Sequence, residues 1–276
     1  MLVHLSVDIE GIAGVVHVDQ ARRSGHDYGL ARQWMTREAN AAALGAFDGG
    51  ATGVVIVDAH GDMRNLLLDD LDPRVEVVSG ALRPLSMVHG VSSRFGVALF
   101  VGYHAGAGSK NGILDHTYSS KVIARVRVGG RELDETAINA MVCGDVGVPV
   151  GLVTGDATTC ARAKETLGEV ETVVVKEAVS RHAARSIMPS VACERVREGA
   201  RRAVQGAIAG KFRPFVLAPP HHLELDFHQS SCADVAELLP GTSRRAGVTV
   251  GYEAPDAATM LRVVLAWSIL AGSAIV

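Results

Sequence analysis

Apolar and polar positions along residues 2–60 change their period twice. Residues 2–7 (Leu-Val-His-Leu-Ser-Val) read as an apolar strand that runs into Asp8 and Glu10 and then into Gly11 and Gly14. Residues 31–48 carry Trp34, Met35, Ala39, Leu44 and Phe47 at helical spacing and stop at Gly49-Gly50, a helix-ending signal. Residues 53–60 then give a continuous β-branched run, the pattern of a strand buried on both faces. Strand, helix and strand in that order predict a parallel sheet. Residues 96–104 repeat the device, an apolar strand that delivers His104 at its end. Three strands therefore end in Asp8/Glu10, Asp58/His60 and His104, and parallel strands would bring those ends to one edge, where open α/β sheets hold their ligands. Asp8 and Glu10 are two apart, so extended chain points both the same way.

Downstream, residues 66–71 read as a short link, 75–78 as a short strand and 86–91 as helical. The glycine-rich stretch 106–112 fits neither G-x-G-x-x-G nor the P-loop, and is expected to be a flexible lid rather than a phosphate cradle. Asp115-His116-Thr117 follows, and residues 118–128 alternate as a strand that turns at Gly129-Gly130. Residues 133–141 open a helix with Asp134 or Glu135 in its first turn, and 148–154 form a buried strand. Beyond it come a helix over 157–168, a strand over 170–176, an amphipathic helix over 191–209, and a strand over 223–227 with Glu224 and Asp226 outward. A strand over 248–253 and a helix from Pro255 close the chain. The pattern predicts an α/β fold, a mainly parallel sheet flanked by helices with a smaller C-terminal α/β subdomain, divided into 1–156 and 157–276.

Composition narrows the partners. With 27 Lys+Arg against 30 Asp+Glu in 276 residues there is no basic field for nucleic acid. Cys143, Cys160, Cys193 and Cys232 lie far apart without C-x-x-C spacing, which argues for a reducing compartment and against a thiolate zinc site. Asp8 and Glu10 interrupt the N-terminus too early for a leader peptide, so a cytoplasmic location is expected. The uncharged apolar segment 263–276 is shorter than the roughly 20 residues a membrane helix needs. A buried or subunit-interface helix is expected there, and no membrane partner. The 48% apolar content with 30 Gly and 4% aromatics suits Ala/Val-rich helices packed on a parallel sheet, in a monomer or an oligomer.

Of eleven histidines, most sit in polar or basic contexts that local hydrogen bonding explains. His60 and His104 differ because they close apolar strands, and His116 because it follows the glycine-rich loop. Imidazoles and carboxylates without thiolates suit Zn²⁺, with Mn²⁺, Co²⁺ and Fe²⁺ as alternatives. Asp8, Glu10, His60, His104 and Glu135 exceed what one tetrahedral ion takes, which suggests two ions sharing a carboxylate, roughly 3.5–4 Å apart in such sites. Asp58, two before His60, would be a partner that fixes a histidine tautomer; the bland alternative makes Asp58 a helix cap and His60 and His104 loop residues. No G-x-S-x-G elbow is present, and Cys143 falls in a helix that buries it, so a serine or cysteine hydrolase is disfavoured.

Six separated stretches now form a pattern: Ser6-Val7-Asp8-Ile9-Glu10-Gly11-Ile12-Ala13-Gly14; Val57-Asp58-Ala59-His60 with Met63 and Asn65-Leu66; Gly102-Tyr103-His104-Ala105; His116; Glu135 with Asn139-Ala140; and Val175-Lys176 with Ser180-Arg181. In order and spacing they resemble the zinc-dependent D-aminopeptidases, the family of a bacterial dipeptide-transport operon enzyme. Beyond about residue 190 the likeness is looser. The resemblance implies that Asp8 bridges two zinc ions, that Glu10, His60, His104 and Glu135 complete their shells, and that His116 is catalytic. It further implies a ring-stacked homodecamer with active sites facing an internal channel, which releases N-terminal D-amino acids from short peptides. Residues 1–156 would then be the metal-binding catalytic part and 157–276 would serve oligomerisation. Two departures stand out. Asp134 replaces the small residue expected before the ligand glutamate, which leaves Asp134 and Glu135 as competing ligands, and Asp62 adds a charge near His60.

The expected chemistry is metal-assisted amide hydrolysis, with His116 as general acid/base or, less usually, nucleophile. Another dinuclear hydrolase, a phosphoesterase or amidohydrolase, is the alternative enzyme; against a phosphoesterase, no arginine is expected within the motif stretches to clamp a phosphate. A metal-stabilised binding module without catalysis is the alternative from another class.

Overall fold

A computed structural model describes residues 1–275. Val276, the last residue of the apolar C-terminal segment, lies outside the described residues. The chain opens with β1 (Leu2–Val7), the single turn α1 (Val18–Ala21), α2 (Tyr28–Asp48), β2 (Gly53–Asp58), β3 (Val75–Val78) and β4 (Phe95–Tyr103). β5 (Ile123–Val128) and β6 (Arg131–Glu132) form a hairpin through Gly129-Gly130, followed by α3 (Glu135–Asp145), β7 (Val150–Asp156) and α4 (Ala157–Leu167). A second hairpin, β8 (Glu171–Ser180) and β9 (Ala183–Ser186), leads into α5 (Pro189–Ile208). β10 (His221–Phe227), α6 (Ser230–Ala236), β11 (Ser243–Ala246), β12 (Thr249–Ala254) and α7 (Ala257–Gly272) complete it.

The strands form a seven-stranded sheet of order β3-β2-β1-β4-β7-β8-β9, parallel except for β9, and a five-stranded antiparallel sheet of order β11-β12-β10-β5-β6. The α/β class and the parallel sheet expected from the pattern are thus observed. Each sheet draws on both sides of residue 157: β8 and β9 extend the first, while β5 and β6 complete the second. The β7–α4 junction at that residue lies within the first sheet.

One face of the parallel sheet buries Val3, Leu5, Val97 and Leu99 with Ala39 and Ala42 of α2 and Val196 and Ala200 of α5. The other joins Phe100, Tyr103 and Val153 to α3, α7 and the inner face of the second sheet in one continuous core. Burial of this many apolar side chains, at roughly 25 cal/mol per Å², carries the stability. Aspartates start three helices: Asp134, Asp156 and Asp256 accept from the amides of Ala137 (2.8 Å), Thr159 (2.8 Å) and Thr259 (2.6 Å). In α7, Trp267 and Val264 are buried whereas Ile269 is exposed, so the apolar tail is a packed helix with one free side. Among the described residues no helix is long and apolar enough to cross a membrane.

Two expectations change. Residues 118–122 are turn rather than strand, because Tyr118 sits at φ 56°. The helix expected over 86–91 shortens to the 3-10 turn Ser86–Val88. The short elements α1, α6, β9 and β11 carry no periodic signal, while β6 is the return strand of the hairpin expected at Gly129-Gly130.

Candidate metal centre

β1 lies between β2 and β4 and is parallel to both, with Val7 opposite Asp58 on one side and Val101 on the other. Three adjacent carboxyl ends therefore share one edge, and the segments leaving them carry Asp8, Glu10, His60 and His104. Glu135 arrives from the first turn of α3, and His116 from the segment between β4 and β5.

His60 Nδ1 lies 3.2 Å from Asp8 Oδ1 and 3.0 Å from Glu10 Oε2. His104 Nε2 lies 3.5 Å from Asp8 Oδ2 and 3.3 Å from Glu135 Oε1. His116 Nε2 is 3.8 Å from the same Glu135 oxygen, and its ring stacks on His104 with centroids 3.9 Å apart. Asp8 thus turns one oxygen toward each half of the centre. Two groups emerge, Asp8–Glu10–His60 and His104–His116–Glu135, each with its ligand atoms within 4.8 Å of one another. Asp134 is turned away by its capping bond to Ala137, which leaves Glu135 as the carboxylate facing the histidines.

Hydrogen bonding shows what the centre lacks. Each imidazole is anchored through its outer nitrogen to a backbone carbonyl: His60 Nε2 to Ala21 (2.7 Å), His104 Nδ1 to Ala105 (3.0 Å) and His116 Nδ1 to Leu114 (2.8 Å). In a neutral ring the anchoring nitrogen carries the hydrogen, so the nitrogen facing the carboxylates is an acceptor. Acceptors then face acceptors. His104 Nε2 and Glu10 Oε2 are buried without a hydrogen-bond partner. Among the described residues no Lys or Arg side chain forms an ion pair with Asp8, Glu10 or Glu135, and buried charge of this kind requires a cation between the groups.

The titration behaviour agrees. Burial, then the Glu10 charge, raises Asp8 to about 7. Burial opposes ionisation of Glu10 and Glu135 as well, yet the surrounding histidines, His60 foremost for Glu10 and His104 foremost for Glu135, together outweigh it, and both carboxyls fall below their usual range. Burial likewise opposes charge on His60 and His104, but the facing carboxylates, Glu10 and Glu135 foremost, lift both well above the ordinary histidine value. His116 moves the other way, lowered by burial and by the His104 charge. Without metal, protons take the cation's place. Imidazole nitrogen and carboxylate oxygen, with no thiolate, are a donor set that fits zinc.

The frame behind these side chains is tight. A Cβ on Gly11 would overlap the Tyr103 carbonyl, and one on Gly102, which sits at φ 71°, would overlap the Asp8 carbonyl. The amides of Asp8 and Gly11 donate to Val101 (2.8 Å) and Gly102 (2.7 Å), so these glycines let two ligand-bearing loops touch backbone to backbone. Lys176, fully buried in β8, donates to the carbonyls of Glu10, Ile12 and Val15 and so shapes the loop that follows β1. Sequence reasoning gave it no role, although a lysine that directly follows the run Val173–Val175 within one strand is itself a signal.

Other expectations are corrected. Asp58 fixes no histidine tautomer. Its oxygens accept from the amides of Asn65 (2.5 Å) and Leu66 (2.8 Å) and from Asn65 Nδ2 (2.7 Å), and Asn65 in turn donates to the His60 carbonyl. The stretch 106–112 is pinned rather than a free lid: Gly108 donates to Asp115 (2.7 Å), Ala107 to Thr117 (3.2 Å), and the Asn111 carbonyl accepts from Thr158 (2.8 Å).

Two cavities meet at the centre and share His60, Gly61 and His116. One, of about 240 Å³, adds Asp8, Glu135, Met63, Leu82, Met87 and Ile269. The other, of about 600 Å³, adds Glu10, Arg22, Arg23, Asp62, Arg181 and His182. The expectation that no arginine could reach a phosphate here is corrected: Arg181 lies in the last motif stretch, and Arg22 and Arg23, outside those stretches, line the same cavity.

A buried carboxylate–imidazole centre on the carboxyl edge of a parallel sheet, open to two cavities, has the architecture of a metal-dependent enzyme. The chain belongs to the D-aminopeptidase family: the profile of peptidase family M55, described as D-aminopeptidase, matches residues 1–266. It is 36% identical over 265 residues to the D-aminopeptidase of Bacillus subtilis (strain 168), covering 93% of this chain and 92% of that protein. Its fold matches the zinc-dependent D-aminopeptidase DppA of Bacillus subtilis, a self-compartmentalizing protease, with a TM-score of 0.95 and 32% identity over 99% of this chain and 98% of that one.

Proposed function

We propose that this protein is a zinc aminopeptidase that hydrolyses the N-terminal amide bond of short peptides, those with an N-terminal D-amino acid foremost, at a dinuclear site. The observation that carries the reading is the pair of ligand groups joined by the two oxygens of Asp8. Asp8, Glu10 and His60 would hold one ion, and Asp8, His104 and Glu135 the other. Bound zinc supplies Lewis acidity for the scissile carbonyl and for the attacking water. His116 lies within ligand reach of Glu135, but its role in this reading is proton transfer. Its Nδ1–H is fixed on the Leu114 carbonyl and its ring on His104, so Nε2 is presented to both cavities. Burial keeps the ring neutral near pH 7, so Nε2 can accept a proton from water and hand it to the departing amine.

The family likeness supports a homo-oligomer, a homodecamer by resemblance, with residues 157–276 contributing contacts. Four free cysteines, three of them buried, support a cytoplasmic location.

The test pairs zinc analysis with hydrolysis of D-Ala-Gly-Gly, D-Ala-D-Ala and L-Ala peptides. The cavity arginines would also suit a phosphate, so a phosphodiester belongs in the screen. Two zinc ions per chain with turnover of the D-peptides is the expected result. Zero metal, or turnover of the phosphodiester alone, overturns the proposal, and full zinc without any turnover points to a binding module.

A further inference from the structure

The two cavities differ in character, and an aminopeptidase needs two unlike ones. An α-amino acid side chain lies on one side of the scissile bond, and on the other the remainder of the peptide, which ends in a carboxylate. The smaller cavity, with Met63, Leu82, Met87 and Ile269 beside Asp8 and Glu135, suits the N-terminal residue; the arginine on its wall, Arg83, is already held by the carbonyls of Val78 and Asp58. The larger one carries cations. Arg23 is offset by Asp62 at 3.4 Å, which Arg64 also holds at 2.7 Å. Arg22, which follows α1, has no carboxylate partner among the described residues. Arg181, in the β8–β9 turn, lines the same cavity and is fixed by Asp115, with Nε 2.7 Å from its carboxylate and a terminal nitrogen 3.0 Å from its carbonyl. Its remaining terminal nitrogen faces His182 Nε2 at 2.9 Å.

Both arginines are tied to the chemistry by one residue. Ala21, beside Arg22, accepts the anchoring bond from His60, and Asp115, which holds Arg181, precedes His116. Resting on the aminopeptidase reading, we propose that Arg22 and Arg181 bind the C-terminal carboxylate of the peptide, so that the enzyme selects short peptides by gripping their far end. A planar guanidinium already locked by Asp115 loses little freedom when it accepts a second carboxylate. The bound end then sets how far the first amide bond lies from His116 Nε2, and a chain longer than the cavity cannot place both ends at once.

The test compares D-Ala-Gly-Gly with its C-terminal amide on the zinc-loaded full-length protein. The free acid should be preferred by about 10-fold or more in kcat/KM, the scale of one charge-assisted contact. Arg22→Ala and Arg181→Lys should each bring the acid-to-amide ratio toward one. Arg22 is exposed, so its variant keeps the test independent of folding. Titration calorimetry supplies a readout without turnover: Gly-Gly, the leaving product, should bind more tightly than Gly-Gly amide, and Arg22→Ala should remove the difference. Equal rates and equal binding for acid and amide, or a ratio unmoved by both variants, would overturn the subsite. Failure to hydrolyse any peptide while the Gly-Gly preference persists would overturn the aminopeptidase reading and leave the carboxylate site standing.

Discussion

Carboxylates occur in two settings in this molecule, and the contrast separates what stabilises it from what equips it to bind. On the open face of the antiparallel sheet, Asp226 and Glu224 of β10 face Arg127 of β5. Arg127 reaches both oxygens of Asp226, at 2.6 and 2.9 Å, and Glu224 at 3.3 Å, while Thr249 adds a 2.7 Å bond. These groups are partly solvated, each has its countercharge built in, and Asp226 sits below the usual carboxylate range because of the Arg127 contact. At the edge of the parallel sheet, Asp8, Glu10 and Glu135 are 2%, 6% and 4% exposed; the amides of Ile9 and Tyr118 donate to Asp8 and Glu135, and the only ionisable bases paired with the three are histidines. Three buried acids without a fixed cation are a standing cost to the fold. The countercharge has to come from solution, as protons or as metal.

Removing that countercharge should give the largest effect. Chelation, or Asp8→Ala, which withdraws the oxygens facing both halves, should lower peptide hydrolysis by about a thousand-fold or more, with zinc restoring only the wild type; a fully active chelated enzyme would end the contrast. Next, His116→Ala should keep both metals by elemental analysis and lose about a hundred-fold or more in kcat. Loss of one metal in that variant would move His116 among the ligands. Lys176→Met should follow, because it frees the carbonyls of Glu10, Ile12 and Val15. A drop of about 10- to 100-fold in zinc affinity is expected, with unchanged circular dichroism.

A pH series sharpens the same point. The folded-state pKa values of His60 and His104 are raised, so in metal-free protein their contribution is full below about pH 6.5, the unfolded value. It is lost as pH rises through the folded values, when zinc is the only remaining countercharge. The gain in Tm on adding zinc should therefore widen as pH rises above about 6.5; a constant gain would argue against protons and metal sharing one place. The smallest effect belongs to the antiparallel sheet. Arg127→Ala should cost about 1 kcal/mol in a denaturant titration and leave the rate of hydrolysis alone.

Much of this was legible in the sequence because strands advertise themselves. β1, β2 and β4 are apolar runs with one interpretation each, and a parallel sheet gathers their ends. Asp8, Glu10, His60 and His104 could therefore be placed together from spacing. Glu135 and His116 were harder, since a helix start and a turn carry no periodic signal; the likeness to a family pointed to them, and only the fold shows Asp134 occupied as a cap. Contacts between segments far apart in sequence stayed out of reach. Lys176 lies 166 residues from the carbonyl it holds at Glu10, and Arg181 lies 66 from Asp115. Asp58 was misplaced for the opposite reason: its partner is the local loop through Asn65, an irregular turn that carries no periodic signal.

The contact of Gly11 with Tyr103, and of Gly102 with Asp8, also governs motion. Two loops that meet without side chains between them and share hydrogen bonds move as one rigid body, so Asp8, Glu10 and His104 keep their mutual spacing while the protein fluctuates. A side chain at either glycine would therefore displace ligands of both halves of the centre at once, whichever position carried it.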